Sequence, residues 1–172
     1  MPELGPSPLM TGGDSLDVAA ARAAIAAAIR PIDGRETLPL RQALGRVLAE
    51  DVISPIDVPA HDNSAMDGYA FAGSALADGA ETVLRVAATV HAGDVPTMTT
   101  APGGCVRIMT GAVMPPGLDT VVPQELCRLE GGRIRIAPGT LRAGDNRRLR
   151  GEDLSRGRPA VAAGRRLRPA DL

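Results

Sequence analysis

Short apolar segments separated by glycine, proline and polar turns fill the middle of this chain, from Ile56 to Asp145. Alternating apolar and polar residues bounded by such turns are typical of β-strands. Gly131 and Gly132 are a two-residue hairpin signal between the last two predicted strands. We therefore expect residues 56–150 to form an all-β domain with a barrel-like sheet. The predicted strands are Gly68 to Gly73, Glu81 to Val90, Gly104 to Thr110, Thr120 to Gln124, Leu126 to Glu130 and Arg133 to Ile136.

The first 30 residues predict a leader and then a helix. Residues 1–13 hold three prolines and three glycines without an apolar period, which is typical of a disordered segment. An amphipathic helix capped by Asp14 or Ser15 should follow and should end before Pro31. Asp17 would lie in its first turn. Its apolar face comprises Val18, Ala21, Ile25, Ala28 and Ile29.

Two further segments flank the β domain. Gly45 should end a helical turn at residues 41–44, and a strand is predicted from Arg46 to Ile53. Near the other end, residues 159–163 and 165–167 should form a short hairpin around a glycine, followed by a helical turn that begins with Pro169. The prediction is an α+β fold, in which a discontinuous mixed domain, residues 14–55 plus 151–172, carries the inserted β domain, residues 56–150.

Composition excludes several classes of function. The 172 residues include 19 basic residues, all of them arginine, and 20 acidic residues, so bulk attraction to nucleic-acid phosphate is not expected. Tyr69 and Phe71 are the only aromatic residues, which leaves no stacking platform for single strands. Neither a membrane span nor a secretory signal is present in the sequence. We expect a cytoplasmic protein without nucleic-acid or membrane partners.

The cysteines and histidines do not indicate zinc or redox chemistry. Cys105 and Cys127 have neither Cys-x-x-Cys spacing nor a histidine at metal-ligand spacing, so we interpret both as ordinary buried thiols. His61 and His91 are isolated, and the Ala-Gly-Asp that follows His91 predicts a loop.

Chemistry-bearing side chains concentrate between Ser54 and Phe71, where the sequence reads SPIDVPAHDNSAMDGYAF. Pro55 and Pro59 predict a stiff extended connector, and the polar HDNS run predicts a loop. Asp67 follows at the junction with the strand that begins at Gly68, where another group could approach closely. From this local pattern alone, a turn residue with an Asx bond and a functional carboxylate are equally compatible with Asp67.

Two later segments carry further polar groups. RIMTGA at residues 107–112 predicts a strand that runs into a glycine turn, with the Thr110 hydroxyl facing either solvent or a cleft. NRRLRGED at residues 146–153 places arginines immediately before two carboxylates. Arginine forks suit phosphate or oxyanion contacts and nearby carboxylates suit Mg²⁺, but a self-neutralising salt-bridge cluster on the surface remains the alternative.

In this order, the three segments resemble the signature of the molybdopterin molybdenumtransferases, the family that includes the C-terminal domain of gephyrin. The resemblance runs from Ser15 to Leu172 and departs at Leu149, where the family commonly has Arg. It implies catalytic contributions from Asp67, Thr110, Arg148 and Asp153, a weaker cofactor-binding role for Arg150 and Glu152, and Mg²⁺ ligation by Asp67 and Asp153.

The resemblance implies a role in the last step of molybdenum cofactor synthesis. In that step adenylylated molybdopterin loses AMP in an Mg²⁺-dependent reaction, and molybdate is placed on the dithiolene. The α/β pterin-binding domain and C-terminal β domain of the family are absent from these 172 residues, so we expect the chain alone to be inactive. A homodimer is expected, with the molybdopterin adenylyltransferase as a further partner. A non-enzymatic dimerisation scaffold of the gephyrin type is the alternative.

Overall fold

The computed structural model describes residues 16–172 in two compact units, one reaching Pro39 and the other running from Leu40 to Leu172. In the first unit, helix α1 spans Val18–Ala28. Asp17 caps it by accepting a hydrogen bond from the Ala20 amide at 2.7 Å. None of the helices in residues 16–172 is long and apolar enough to cross a membrane.

The N-terminus of α1 differs from the prediction. Asp17 is the cap and does not lie in the first turn, because its carboxylate reaches the amide three residues further on. Asp14 and Ser15, the predicted caps, lie outside the described residues, as does the predicted leader at residues 1–13. The predicted helix itself is observed, and its end falls before Pro31 as expected.

Ten strands follow within the described residues, and six of them form one sheet. The sheet has the order β6-β3-β5-β4-β8-β7, and only its β4–β5 pair is parallel. It curls as a half barrel and contains all six predicted strands, with ends shifted by two residues at most. The strands are β1 Val52–Ile53, β2 Asn63–Ser64, β3 Gly68–Phe71, β4 Thr82–Val90, β5 Gly104–Ile108, β6 Thr120–Pro123, β7 Cys127–Glu130, β8 Arg133–Ile136, β9 Arg147–Arg148 and β10 Pro159–Val161.

Both faces of the sheet are packed around β3. Successive side chains of a strand point to opposite faces, so Tyr69 and Phe71 join one apolar cluster while Ala70 joins the other. The neighbouring strands divide in the same way, since Val122 lies in the first cluster and Val121 in the second. All four residues of β3 are buried, which makes this strand the centre of the core.

A β-bulge in β4 lets that strand serve both clusters. Val86 lies opposite Cys105 and Ala88 lies opposite the next residue of β5, so Ala87 is an extra residue in the ladder. The bulge reverses the direction of the side chains that follow it. As a result, Leu84 packs in the cluster of Tyr69, whereas Val90 packs in the cluster of Ala70.

The predicted hairpin at residues 159–167 is wrong. Residues 158–167 run antiparallel to residues 45–54, and β10 pairs with β1. The Leu48 amide donates to the Arg165 carbonyl at 2.9 Å, and the Gly164 amide donates to the Leu48 carbonyl at 2.8 Å. Gly164 therefore does not join two paired strands, because both flanking segments use their hydrogen bonds on a distant part of the chain.

The strand predicted from Arg46 to Ile53 is also shorter than expected. Only β1 is a regular strand there, preceded by an isolated bridge between Val47 and Arg166. The register of the β1–β10 pair shifts between Val52 and Ile53, which interrupts the ladder. The division into domains 14–55 plus 151–172 and 56–150 stays a prediction.

Close approach between β3 and β6 explains the glycine at the start of β3. A Cβ atom built on Gly68 would lie 2.0 Å from the Val122 carbonyl oxygen. We expect Gly68→Ala to lower the free energy of unfolding by about 1–3 kcal/mol, because backbone must move to relieve the overlap. Urea unfolding of the 172-residue chain measures this. Gly34→Ala is the matched control, since a Cβ there meets nothing within 4 Å. Equal losses in both variants would contradict the close-approach explanation.

Candidate functional site

The three segments singled out in the sequence meet through β2. On one side β2 pairs with β9, so that Asn63 lies opposite Arg148. On the other side the Ser64 amide donates to the Ala112 carbonyl at 3.0 Å, and the Ser64 carbonyl accepts from the Gly111 amide at 2.9 Å. Backbone hydrogen bonds therefore place the segments 54–71, 107–112 and 146–153 side by side.

Asp67 and Thr110 form a hydrogen-bonded pair next to this junction. Asp67 Oδ1 accepts from the Thr110 amide at 2.8 Å and from Thr110 Oγ1 at 2.7 Å. Both side chains are exposed. The two hydrogen bonds stabilise the ionised carboxylate, first the one from the amide and then the one from the hydroxyl, and hold the pKa of Asp67 below its usual value. The second oxygen, Oδ2, accepts no hydrogen bond from residues 16–172.

The local fold explains why these two residues meet. Asp67 immediately precedes β3, Thr110 follows β5, and β3 and β5 are antiparallel neighbours with Gly68 opposite Ile108. The Asp67 carbonyl also accepts from the Gln124 amide at 3.1 Å. The carboxylate is thus anchored to a rigid core while its free oxygen faces solvent.

Arg148, Glu152 and Asp153 form a second group. Arg148 donates from Nε to Glu152 and from Nη2 to Asp153 Oδ2, the latter at 2.6 Å. Glu152 also accepts from the Leu149 amide at 2.8 Å. The two carboxylates hold the pKa of Arg148 above its usual value, and the Arg148 guanidinium and the Leu149 amide hold the pKa of Glu152 below its usual value. Arg148 Nη1 has no partner within the described residues.

Arg150 is separate from that group. Its Nε donates to Asp57 Oδ2 at 2.6 Å, and its amide donates to Asp62 Oδ1 at 2.8 Å. Sequence reasoning did not assign Asp57 or Asp62 to the site. The signal that could have identified Asp57 is its place between two prolines in the Pro-Ile-Asp-Val-Pro connector. Because prolines restrict the backbone on both sides, such a carboxylate is held in position to bond a distant segment.

The predicted site residues therefore fall into two hydrogen-bonded groups, Asp67 with Thr110 and Arg148 with Glu152 and Asp153. Within residues 16–172 no hydrogen bond or ion pair joins one group to the other. The backbone of β2 connects the two groups, because Asn63 of β2 lies four residues before Asp67 in the chain and pairs with Arg148. Groups that act on one substrate must line a single cleft, and for these residues that arrangement stays a prediction.

The carboxylates of these two groups are oxygen ligands, the type that Mg²⁺ prefers. Among the described residues no three His, Cys, Asp or Glu side chains converge into a metal-binding group. Asp67 Oδ2 and Asp153 Oδ1 nevertheless have no hydrogen-bond partner in that part of the chain. Mg²⁺ is commonly held by one or two carboxylates together with water and substrate phosphates. Asp67 and Asp153 each offer one oxygen of the kind that such an ion takes, and the described residues do not form an all-protein cage.

Within residues 16–172, neither the thiols nor the histidines form a hydrogen bond with these groups. Cys105 is buried, and burial raises its pKa to about 12, as the nearby Cys127 also does to a smaller extent. Cys127 is half-buried and its pKa is raised for the same main reason. His91 lies in a loop, as predicted, where its amide donates to Asp94. Arg165 and Arg168 pair with Asp171.

Known proteins match most of this chain. The family described as the MoeA N-terminal region (domain I and II) matches residues 16–172. A molybdopterin molybdenumtransferase of Haemophilus influenzae is 41% identical over 138 residues, covering 80% of this chain and 33% of the relative. Molybdopterin molybdenumtransferase 2 of Mycobacterium tuberculosis is 38% identical over 149 residues, covering 84% of this chain and 35% of the relative.

The fold agrees with solved structures. A crystal structure of the molybdopterin biosynthesis MoeA protein from Pyrococcus horikoshii OT3 matches with a TM-score of 0.70 and 34% identity, covering 83% of this chain and 38% of that one. The chain thus spans about a third of the length of the relatives it matches. Sequence and fold together show that this chain belongs to the family of the MoeA N-terminal region, domains I and II.

Proposed function

We propose that the chain contributes part of the active site of an enzyme that inserts molybdate into adenylylated molybdopterin, with Mg²⁺-dependent release of AMP. The observation that carries the proposal is the exposed Asp67 carboxylate, which Thr110 holds through one oxygen while the other oxygen stays open. A turn residue bonds its neighbours in sequence, whereas Asp67 bonds Thr110, which lies 43 positions away at the end of another strand. Relatives named molybdopterin molybdenumtransferase support the substrate class.

Asp67 acts in this proposal as a fixed anion. Because its pKa lies below the usual value, the carboxylate is ionised throughout the neutral range. Oδ2 can then orient a water molecule or a metal-bound group near the phosphoanhydride that releases AMP. Thr110 sets the direction of the carboxylate and keeps it charged.

Arg148 acts in this proposal as a hydrogen-bond donor to a negatively charged oxygen of the substrate. Glu152 and Asp153 hold its guanidinium through Nε and Nη2, which leaves Nη1 without a partner among the described residues. A preorganised donor of this kind stabilises charge on a phosphate or molybdate oxygen without moving during the reaction.

The charge balance of this surface supports the part that the proposal gives to a cation. Three arginines, Arg147, Arg148 and Arg150, face four carboxylates, Asp57, Asp62, Glu152 and Asp153, so that the formal charge is −1. Molybdate and a phosphoanhydride are anions and would not accumulate here by charge attraction alone. Mg²⁺ held by Asp67 and Asp153 together with substrate oxygens would neutralise the phosphate charge. In this proposal, the remaining two thirds of such an enzyme and a second subunit supply the other groups that bind the substrates.

The role of Asp67 is tested by Asp67→Asn in a chimera in which residues 16–172 replace the matching third of the Haemophilus influenzae relative. We expect molybdate insertion to fall by about 100-fold, since the substitution keeps the shape and removes the charge that orients the reacting group. The measurement is active cofactor formed per minute from adenylylated molybdopterin, Mg²⁺ and molybdate. The melting temperature should be unchanged. Full activity at an unchanged melting temperature would return Asp67 to a turn residue.

A second prediction concerns the pair itself. In the 172-residue chain, Thr110→Val removes one of the two hydrogen bonds to Asp67 and should raise the pKa of the carboxyl group towards its ordinary value. Carboxyl carbon chemical shifts followed by NMR during an acid titration measure this. Thr110→Ser keeps the hydroxyl and is the matched control. An unchanged pKa in the valine variant would mean that the hydroxyl contact is not maintained in solution.

A third prediction concerns the chain without further domains. Residues 1–172 alone, incubated with adenylylated molybdopterin, Mg²⁺ and molybdate, should form no active cofactor, because the chain spans only about a third of its relatives. The chimera is the positive control. Turnover by the isolated chain at the rate of the chimera would show that the site described above is sufficient by itself.

A further inference from the structure

The loop that carries Arg148, Glu152 and Asp153 has little secondary structure of its own. Its regular pairing is limited to the two residues of β9. Asn146 and Gly151, on either side of the arginines, have positive φ angles of 59° and 72°. Side chains on such a loop keep a fixed geometry only when other contacts hold the backbone.

Asp57 supplies two such contacts. Its Oδ2 accepts from Arg150 Nε at 2.6 Å, and its Oδ1 accepts from the Arg156 amide at 2.7 Å. The side chain is only 16% exposed. Gly151 lies against it, since a Cβ at that position would be 3.2 Å from Asp57 Oδ1. Both oxygens are therefore used to hold the two ends of the segment that contains Glu152 and Asp153.

Neighbouring residues of the connector complete the attachment. Asp62 Oδ1 accepts from the Arg150 amide at 2.8 Å, and Asp62 Oδ2 lies 3.7 Å from Arg147 Nη1. The Pro59 carbonyl accepts from the Gly151 amide at 2.9 Å, and the Val58 carbonyl accepts from the Asp153 amide at 2.9 Å. The stiff segment from Asp57 to Asp62 thus forms one wall along the whole loop.

We propose that Asp57 is a positioning residue, which, with Asp62 as a weaker second clamp, holds the loop so that Arg148, Glu152 and Asp153 keep their mutual hydrogen bonds. This inference rests on the proposed function only for its effect on activity. Asp57 does not contact substrate in this scheme, because both of its oxygens are occupied by the loop. It acts through Arg150 and the Arg156 amide.

Asp57→Asn is the test variant, and Asp51→Asn is the matched control. Asp51 Oδ1 also accepts a backbone hydrogen bond, from the Ala163 amide at 2.7 Å, but it holds a segment outside the loop. The measurement in the 172-residue chain is the rate at which the Arg148 Nε proton exchanges with solvent, followed by NMR. This rate should be about tenfold higher in Asp57→Asn and unchanged in Asp51→Asn. In the chimera, kcat should fall about tenfold for Asp57→Asn with a smaller change in KM, since misplacement affects the reacting geometry.

The outcomes separate this inference from the proposed function. Faster exchange at Arg148 together with an inactive wild-type chimera would refute the function and leave the positioning role intact. Unchanged exchange at Arg148 in Asp57→Asn, at equal melting temperature, would overturn the positioning role. If Asp57→Asn does not fold, Arg150→Gln removes the same ion pair from its exposed end, at a side chain that is 61% exposed. Exchange at Arg148 must then rise in Arg150→Gln, and an unchanged rate overturns the inference.

Discussion

The burial of β3 on both faces and its pairing on both edges determine where most of the functional groups lie. β5 and β6 flank it, and each brings a residue to its beginning, Thr110 after β5 and Gln124 after β6. Asp67 lies at this end of β3, immediately before the first residue of the buried strand. Its carboxylate is therefore held rigidly by the core although it is exposed to solvent. A surface loop without such an anchor would not hold a side chain in this way.

The neighbouring loop is ordered by a different kind of force. Its geometry depends on carboxylate clamps to arginine side chains and amides, with almost no apolar burial. Exposed ion pairs contribute little to stability one at a time, whereas carboxylates that also accept backbone amides fix orientation. The candidate site thus combines a rigid anion, Asp67, with an electrostatically ordered group around Arg148.

The strands could be predicted because alternation and glycine turns are local signals, and Gly131 and Gly132 identified the β7–β8 hairpin correctly. Long-range pairing could not be read in that way. Residues 158–167 carry a plausible local hairpin, but they pair with residues 45–54, and no local pattern records that partner. Asp57 was missed for the same reason, since its partner Arg150 is 93 positions away. The motif residues could be named from their resemblance to a family, but their division into two groups depends on the folded arrangement of the three segments.

The bulge at Ala87 has a consequence for how mutations in this domain combine. It sends Leu84 into one apolar cluster and Val90 into the other, although both belong to β4. Residues that share no packing partner usually change stability independently, so substitutions at these two positions should be nearly additive in double-mutant cycles. Substitutions in the single strand β4 would then affect two energetically separate cores. Leu84 and Phe71, which share a cluster, would show coupling in such a cycle, whereas Leu84 and Val90 would not.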